Sequence, residues 1–196
     1  MKVLRLTSDD FEKILKEAVR SLKKGNVLAC PTDTVYGFIA DATNASAVRK
    51  IFQIKGREKG KPIPIFVKDI KMARTLAKIS KVQESFIGKV WPGKVTVILA
   101  SRSKLPKELG TAKTIGLRIP KYRFLNLLLE AYGKPLTGTS ANLSGTPSLS
   151  DSKEIIAQFQ NRKHKPDTVL DAGVLPKSKP SKIIDITGVK HIILRK

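Results

Sequence analysis

The sequence predicts an α/β protein built on one open, twisted, mixed β-sheet with flanking helices. Short β-rich runs alternate with amphipathic helical stretches along all 196 residues. Glycine or proline stands at several of the changes, as at Gly25, Pro31 and Gly133. Hydrophobic residues make up 41% of the chain, enough to build a core. With no internal repeat and no linker long enough to divide it, residues 1–196 are expected to form a single domain.

Residues 9–24 repeat Phe11, Ile14, Leu15, Ala18, Val19 and Leu22 at helical spacing, with Ser8 or Asp9 as cap and Gly25 as stop. "NVLAC" then reads as a strand ending at Pro31. "NASAVRKIFQI" is a helix capped by Asn44, and "IPIFV" a strand. Residues 69–79 and 81–90 are helices that end before "WPG". "VTVILA" and "TIGLRI" are strands, and "RFLNLLLEAYG" is a helix closed by Gly133. "PLTGTS" is a strand running into a loop, and "SKEIIAQFQ" a helix. "TVLDAG", "KIIDIT" and "HIILR" complete the strands. The Pro-, Lys- and Ser-rich stretch 174–182 reads either as a plain connection or as cover over a site.

Charge narrows the function. Lys and Arg number 38 against 16 Asp and Glu, a net +22 that attracts polyanions such as nucleotides or nucleic acid. Aromatic residues are only 6% and do not interleave with the basic ones, which disfavours stacking on single strands. Cys30 is alone, and His164 and His191 stand apart, so neither a disulfide nor a Cys/His metal site is expected. No apolar run approaches a membrane span, and a cytoplasmic location is expected.

Polar residues gather at three places. "CPTDTVYG" (30–37) carries Thr32, Asp33, Thr34 and Tyr36. "TGTSANLSG" (137–145) carries Thr137, Thr139, Ser140, Asn142 and Ser144. "IKGREKGKP" (54–62) sets Lys55, Arg57, Lys59 and Lys61 on a glycine-broken backbone. Each can be an ordinary turn or solvated face. Together they could line a crevice at strand carboxyl ends, the hydroxyls orienting a ligand and the cations neutralising it. No Walker A or Gly-x-Gly-x-x-Gly pattern is present.

"PTDTVYG", "KGR" followed by "KP", "WPG", "RIP" and "SANLSG" occur in the order and near the spacing of the threonylcarbamoyl-AMP synthase (YrdC-like) family. The chain resembles its short form, without the additional C-terminal domain of the long form. The resemblance implies a YrdC-like fold around a large positively charged cavity. It also implies a nucleotidyltransferase that makes threonylcarbamoyl-adenylate and pyrophosphate from L-threonine, bicarbonate and ATP, with Mg2+ on the triphosphate and no metal site of its own. A downstream transferase would pass the product to adenosine 37 of tRNA, and direct contact with tRNA or double-stranded RNA is the alternative use of such a fold.

By the same resemblance, Lys55, Arg57, Ser140 and Asn142 form the catalytic signature. Thr32, Thr34, Arg118, Gly138 and Ser181 hold threonine, Arg118 by a two-pronged grip on its carboxylate. Lys55, Arg57, Lys61, Thr114, Ser140, Asn142, Ser148 and Arg195 hold ATP. The sequence departs from the family pattern at Phe66, where long-form members often carry His. Thr139 stands in place of proline, and Pro180–Ser181–Lys182 in place of Glu-Ser-Thr.

Overall fold

The computed structural model describes residues 1–58, 62–109 and 113–195. The α/β class is as expected, but the strands divide between two sheets instead of one. The first runs β1 (Lys2–Arg5), β10 (Thr168–Asp171), β2 (Leu28–Cys30), β3 (Gly37–Ile39) and β9 (Thr139–Ser140). The second runs β12 (Ile192–Arg195), β11 (Lys182–Asp185), β6 (Val95–Ser101), β7 (Thr114–Arg118), β4 (Ile65–Phe66) and β8 (Leu136–Thr137), with β5 (Ala77–Lys78) beside β6. Both sheets mix parallel and antiparallel pairs.

The helices form where the apolar spacing puts them. α1 (Phe11–Lys23) buries Ile14, Ala18 and Leu22 against α5 (Arg123–Tyr132), whose Phe124, Leu125, Leu128 and Leu129 face it. The expected Ser8 or Asp9 cap is not made: the Ser8 hydroxyl bonds Asp9, and the helix opens after Asp10 without a side-chain cap. α2 (Ala45–Lys55) starts as expected on Asn44, whose side chain accepts from the Ser46 and Ala47 amides. It stops at Gly56, where φ is +58°, a turn that favours glycine. α3 (Ile70–Leu76) and α4 (Lys81–Val90) pack on the second sheet, and α6 (Ser152–Phe159) on the first. Among the described residues no helix is long and apolar enough to cross a membrane.

The division into two sheets happens inside one short stretch. Leu136 and Thr137 pair with β4, whereas Thr139 and Ser140 pair with β3. Thr137 also donates its amide to Ala40 O and accepts the Ala40 amide on its hydroxyl, both at 2.9 Å. Gly138 is the point of exchange and donates to Pro64 O at 2.8 Å. A Cβ built on Gly138 would stand 2.6 Å from Phe66 Cε2, so the ring occupies the place of a side chain. Phe66 is pinned there between Arg118 and Leu136 in register. "PLTGTS" looks continuous as a sequence because its two halves share one period and differ only in their partners.

Replacing Gly138 with Ala should force that ring aside and cost about 1–3 kcal/mol in chemical unfolding, the usual penalty of overpacking. Combined with Phe66→Leu, the same change should cost much less. An equal loss in both backgrounds would show that the ring is not the obstacle.

Candidate functional site

Between the two sheets lies a cavity of about 720 Å³. Alternation along the second sheet supplies its floor: Thr96 and Ile98 from β6, and Gly116 and Arg118 from β7, face it, while Val97, Leu99 and Leu117 point into the core. The rim comes from Thr32 and residues 34–37, from residues 138–140, from alternate positions between Ser101 and Leu109 together with Pro106, and from residues 180–181. The site therefore takes in the carboxyl ends of several strands, at Phe66, Ser101, Arg118, Ser140 and Arg195, and also spreads over the face of the second sheet.

Ten of the residues singled out in the sequence meet in this wall: Thr32, Thr34, Arg57, Thr114, Arg118, Gly138, Ser140, Ser148, Ser181 and Arg195. Lys61 lies outside the described residues, as does Lys59 of the same loop. Lys55 and Asn142 do not line the cavity, although Arg57 and Ser140, each two positions away, do. Among the described residues the wall carries Arg57, Lys107, Arg118 and Arg195 but no Asp or Glu. Burial lowers the pKa of Arg57 and Arg195 from the ordinary guanidinium value, since each charge is partly stripped of water. Among the described residues the Arg57 Nε is buried without a hydrogen-bond partner, and its Nη2 reaches the Pro62 carbonyl at 3.2 Å. An anion in the cavity would relieve both costs.

Arg118 is the buried exception. Its Nη2 meets Asp33 Oδ1 at 2.7 Å and its Nε meets Gly93 O at 2.8 Å, with both charged side chains almost fully enclosed. Burial pulls its pKa down, and the Asp33 charge pulls it back up. Asp33 spends its other oxygen on the Lys121 amide at 3.0 Å. The guanidinium is thus locked on its Nε–Nη2 edge. Nη1 makes no hydrogen bond among the described residues, so a carboxylate can be gripped end-on but not across the locked edge. The Phe66 ring lies 5.7 Å from the same guanidinium.

Lys55 acts as a clamp. Its Nζ donates to Ser140 O at 2.5 Å, Asn142 O at 2.9 Å and Asn142 Oδ1 at 3.2 Å, which uses all three ammonium hydrogens. Asn142 in turn donates to Leu143 O and Thr146 O. Lys55 and Asn142, both expected to contact ligand, here fix the backbone that presents Ser140. Both side chains are buried, and the hydrogens of the Lys55 ammonium and of the Asn142 amide are all engaged within the chain. Burial, and then the nearby Arg57 charge, push the Lys55 pKa down to about 8.

At the opposite wall, Ser181 Oγ stands 3.1 Å from Thr96 Oγ1 and accepts from Arg195 Nη2 at 3.0 Å, while Arg195 Nε bonds Ser181 O at 2.8 Å. Pro180 also lines the cavity, so the end of the 174–182 stretch does border the site. Sequence reasoning missed Thr96, a lone threonine in an apolar strand. It noted Asp33 without a role, because the arginine that gives it one lies 85 positions away. Among the described residues no three His, Cys, Asp or Glu side chains gather to hold a metal ion.

Residues 20–196 match the family Sua5_yciO_yrdC, described as "Telomere recombination". A relative from Methanocaldococcus jannaschii is 35% identical over 195 residues, covering 100% of this chain and 91% of its own. The threonylcarbamoyl-AMP synthase of Klebsiella pneumoniae is 32% identical over 176 residues, 87% of this chain and 90% of its own. The crystal structure of Pyrococcus abyssi Sua5 complexed with L-threonine superposes with a TM-score of 0.88 at 28% identity, over 99% of this chain and 56% of that one. The present chain thus spans little more than half the length of the P. abyssi protein.

The Lys55 clamp has a pH signature. The ammonium should titrate near pH 8 in the folded chain against 10.5 for an ordinary lysine, seen as one early-shifting lysine by NMR. Between those values the unfolded chain holds a proton that the folded chain has released, so unfolding binds a proton and this group makes stability rise with pH. Lys55→Met should remove that slope. A Lys55 that titrates with the other lysines would contradict the buried clamp.

Proposed function

The chain belongs to the Sua5–YciO–YrdC family, and from that premise we propose that it is a threonylcarbamoyl-AMP synthase, joining L-threonine, bicarbonate and ATP into threonylcarbamoyl-adenylate with release of pyrophosphate. The observation that carries this reading is a single cavity wall with three guanidiniums, several hydroxyls and no carboxylate among the described residues. That wall suits a polyanionic nucleotide beside an amino acid.

Bicarbonate loses its hydroxyl as water to give carbon dioxide, and the threonine amine adds to that carbon: a C–N bond forms as one C=O π bond opens onto oxygen, and the amine proton leaves in the water. A carbamate oxygen then attacks the α-phosphorus, and the bond from that phosphorus to the bridging oxygen of the pyrophosphate breaks. No protein nucleophile is needed, so placement and charge neutralisation carry the rate. Arg118, locked by Asp33, offers its free end to the threonine carboxylate, with Thr34, Gly138 and Ser181 around the amino acid. Arg57, Arg195, Thr114, Ser140 and Ser148 take the nucleotide, and Lys61 joins them in this proposal. Lys55 and Asn142 contribute by holding Ser140 in place. A magnesium ion arrives with the triphosphate as part of the substrate.

The labile product requires a second enzyme in the same compartment, here the cytoplasm, to transfer the threonylcarbamoyl group to a tRNA adenosine. The net charge of +22 favours a second reading, a non-catalytic RNA-binding module. One assay separates the two: pyrophosphate release from ATP that needs both threonine and bicarbonate. An enzyme shows it, and RNA binding without it leaves only the second reading.

Arg57→Ala should weaken ATP binding by about 2–3 kcal/mol, the scale of a charge-assisted contact in a partly dry site. Calorimetry showing unchanged affinity would return the basic loop to a solvated face. Arg118→Ala should raise the KM for threonine far more than that for ATP. A loss shared equally by both substrates would place Arg118 in the framework of the fold.

A further inference from the structure

Thr32 and Thr34 both border the cavity, yet their hydroxyls are not equivalent. Thr32 Oγ1 lies 2.6 Å from the carbonyl oxygen of Val35. Two oxygens come that close only across a hydrogen, and the carbonyl has none to give, so the Thr32 proton is donated there. The same Thr32 oxygen accepts the Thr34 amide at 3.1 Å. It therefore has one lone pair and no proton left for Thr34 Oγ1, which stands 3.1 Å away. The Thr34 hydroxyl must be the donor of that pair. Thr32 Oγ1 is then saturated, with one bond donated and two accepted, and has nothing to offer a ligand. Thr34 Oγ1 has spent its only proton and presents lone pairs alone. Both residues are buried, at 5% and 6% exposure, so bulk water does not compete for these bonds.

We propose that Thr32 is a positioning residue that fixes Thr34 as an obligate hydrogen-bond acceptor, selecting an amino acid whose side chain brings an O–H donor. This rests on the threonylcarbamoyl-AMP synthase reading and names the atom that sets its amino-acid choice. The substrate amine loses protons and gains a bond to carbon during the reaction, whereas the side-chain hydroxyl passes through unchanged. An acceptor locked in one direction matches the unchanging group. An amino acid without the hydroxyl leaves the Thr34 lone pairs buried and unpaired, which is the physical basis of its rejection.

The test measures binding of three amino acids to the full chain by calorimetry: L-threonine, L-2-aminobutyrate, and the analogue of threonine with fluorine in place of the hydroxyl at the same stereochemistry. Fluorine keeps the size and the negative end of the hydroxyl but has no proton. L-Threonine should bind at least about tenfold tighter than 2-aminobutyrate, one net hydrogen bond. The fluorinated analogue should bind no tighter than 2-aminobutyrate. Thr32→Val frees the Thr34 proton to turn toward the cavity, so the fluorinated analogue should overtake 2-aminobutyrate and the preference for threonine should shrink. Thr32→Ser, which keeps the hydroxyl, should retain the original order. A fluorinated analogue that binds the unaltered protein tighter than 2-aminobutyrate overturns the proposal, as does an unchanged order in Thr32→Val. If L-threonine itself does not bind, the functional reading falls and takes this inference with it. If threonine binds and only the order is wrong, the functional reading stands alone.

Discussion

Everything about the cavity depends on one stretch of five residues that belongs to both sheets. Leu136 and Thr137 are hydrogen-bonded into the second sheet and Thr139 and Ser140 into the first, with Gly138 passing between them against the Phe66 ring. This crossing sets the separation of the sheets. It also delivers Ser140 to the wall and places the following Asn142 where Lys55 can grip it. A side chain at 138 would have to displace an aromatic ring that neighbours Arg118, so the requirement for glycine and the geometry of the site are the same constraint.

The electrostatic design separates held cations from unheld ones. Arg118 has its own carboxylate, contributed by the loop between β2 and β3, and its bonds to Asp33 and Gly93 fix the guanidinium's direction while spending two of its five N–H donors. Lys55 has only carbonyl and amide oxygens, enough to satisfy its hydrogens but not to neutralise its charge. Arg57 and Arg195 have no carboxylate partner among the described residues. Partial burial of like charges is unfavourable in the empty protein, and that unfavourable energy is what a bound polyanion removes.

The sequence was most legible where the physics is local. Helix spacing, the Asn44 cap and the stops at Gly56 and Gly133 follow from residues within a few positions of one another. β1, β3 and β5 were not foreseen: each has only two to four residues, too few for a period to show. The division into two sheets was hidden because strand partners leave no mark on a continuous run. The two hydroxyl-rich loops meet Arg57 of the cationic stretch in the cavity wall, as their composition suggested. Which residues face the cavity and which hold the others was not visible, since saturation of a hydroxyl or an ammonium depends on partners far along the chain. Lys55 reads as another member of a basic run, and only its three acceptors in space set it apart.

Arg195 grips Ser181 through two bonds, but it does so from β12, the outermost strand of the second sheet, where Ile192, Ile193 and Leu194 are each more than half exposed. Among the described residues β12 pairs with β11 alone. An edge strand with little buried surface has a low free energy of local opening, well below that of the whole domain. The Ser181 side of the cavity can be no more durable than that pairing. Each opening of the edge would release a guanidinium and a serine from the wall together, making the periphery of the fold a hinge-point for ligand residence time.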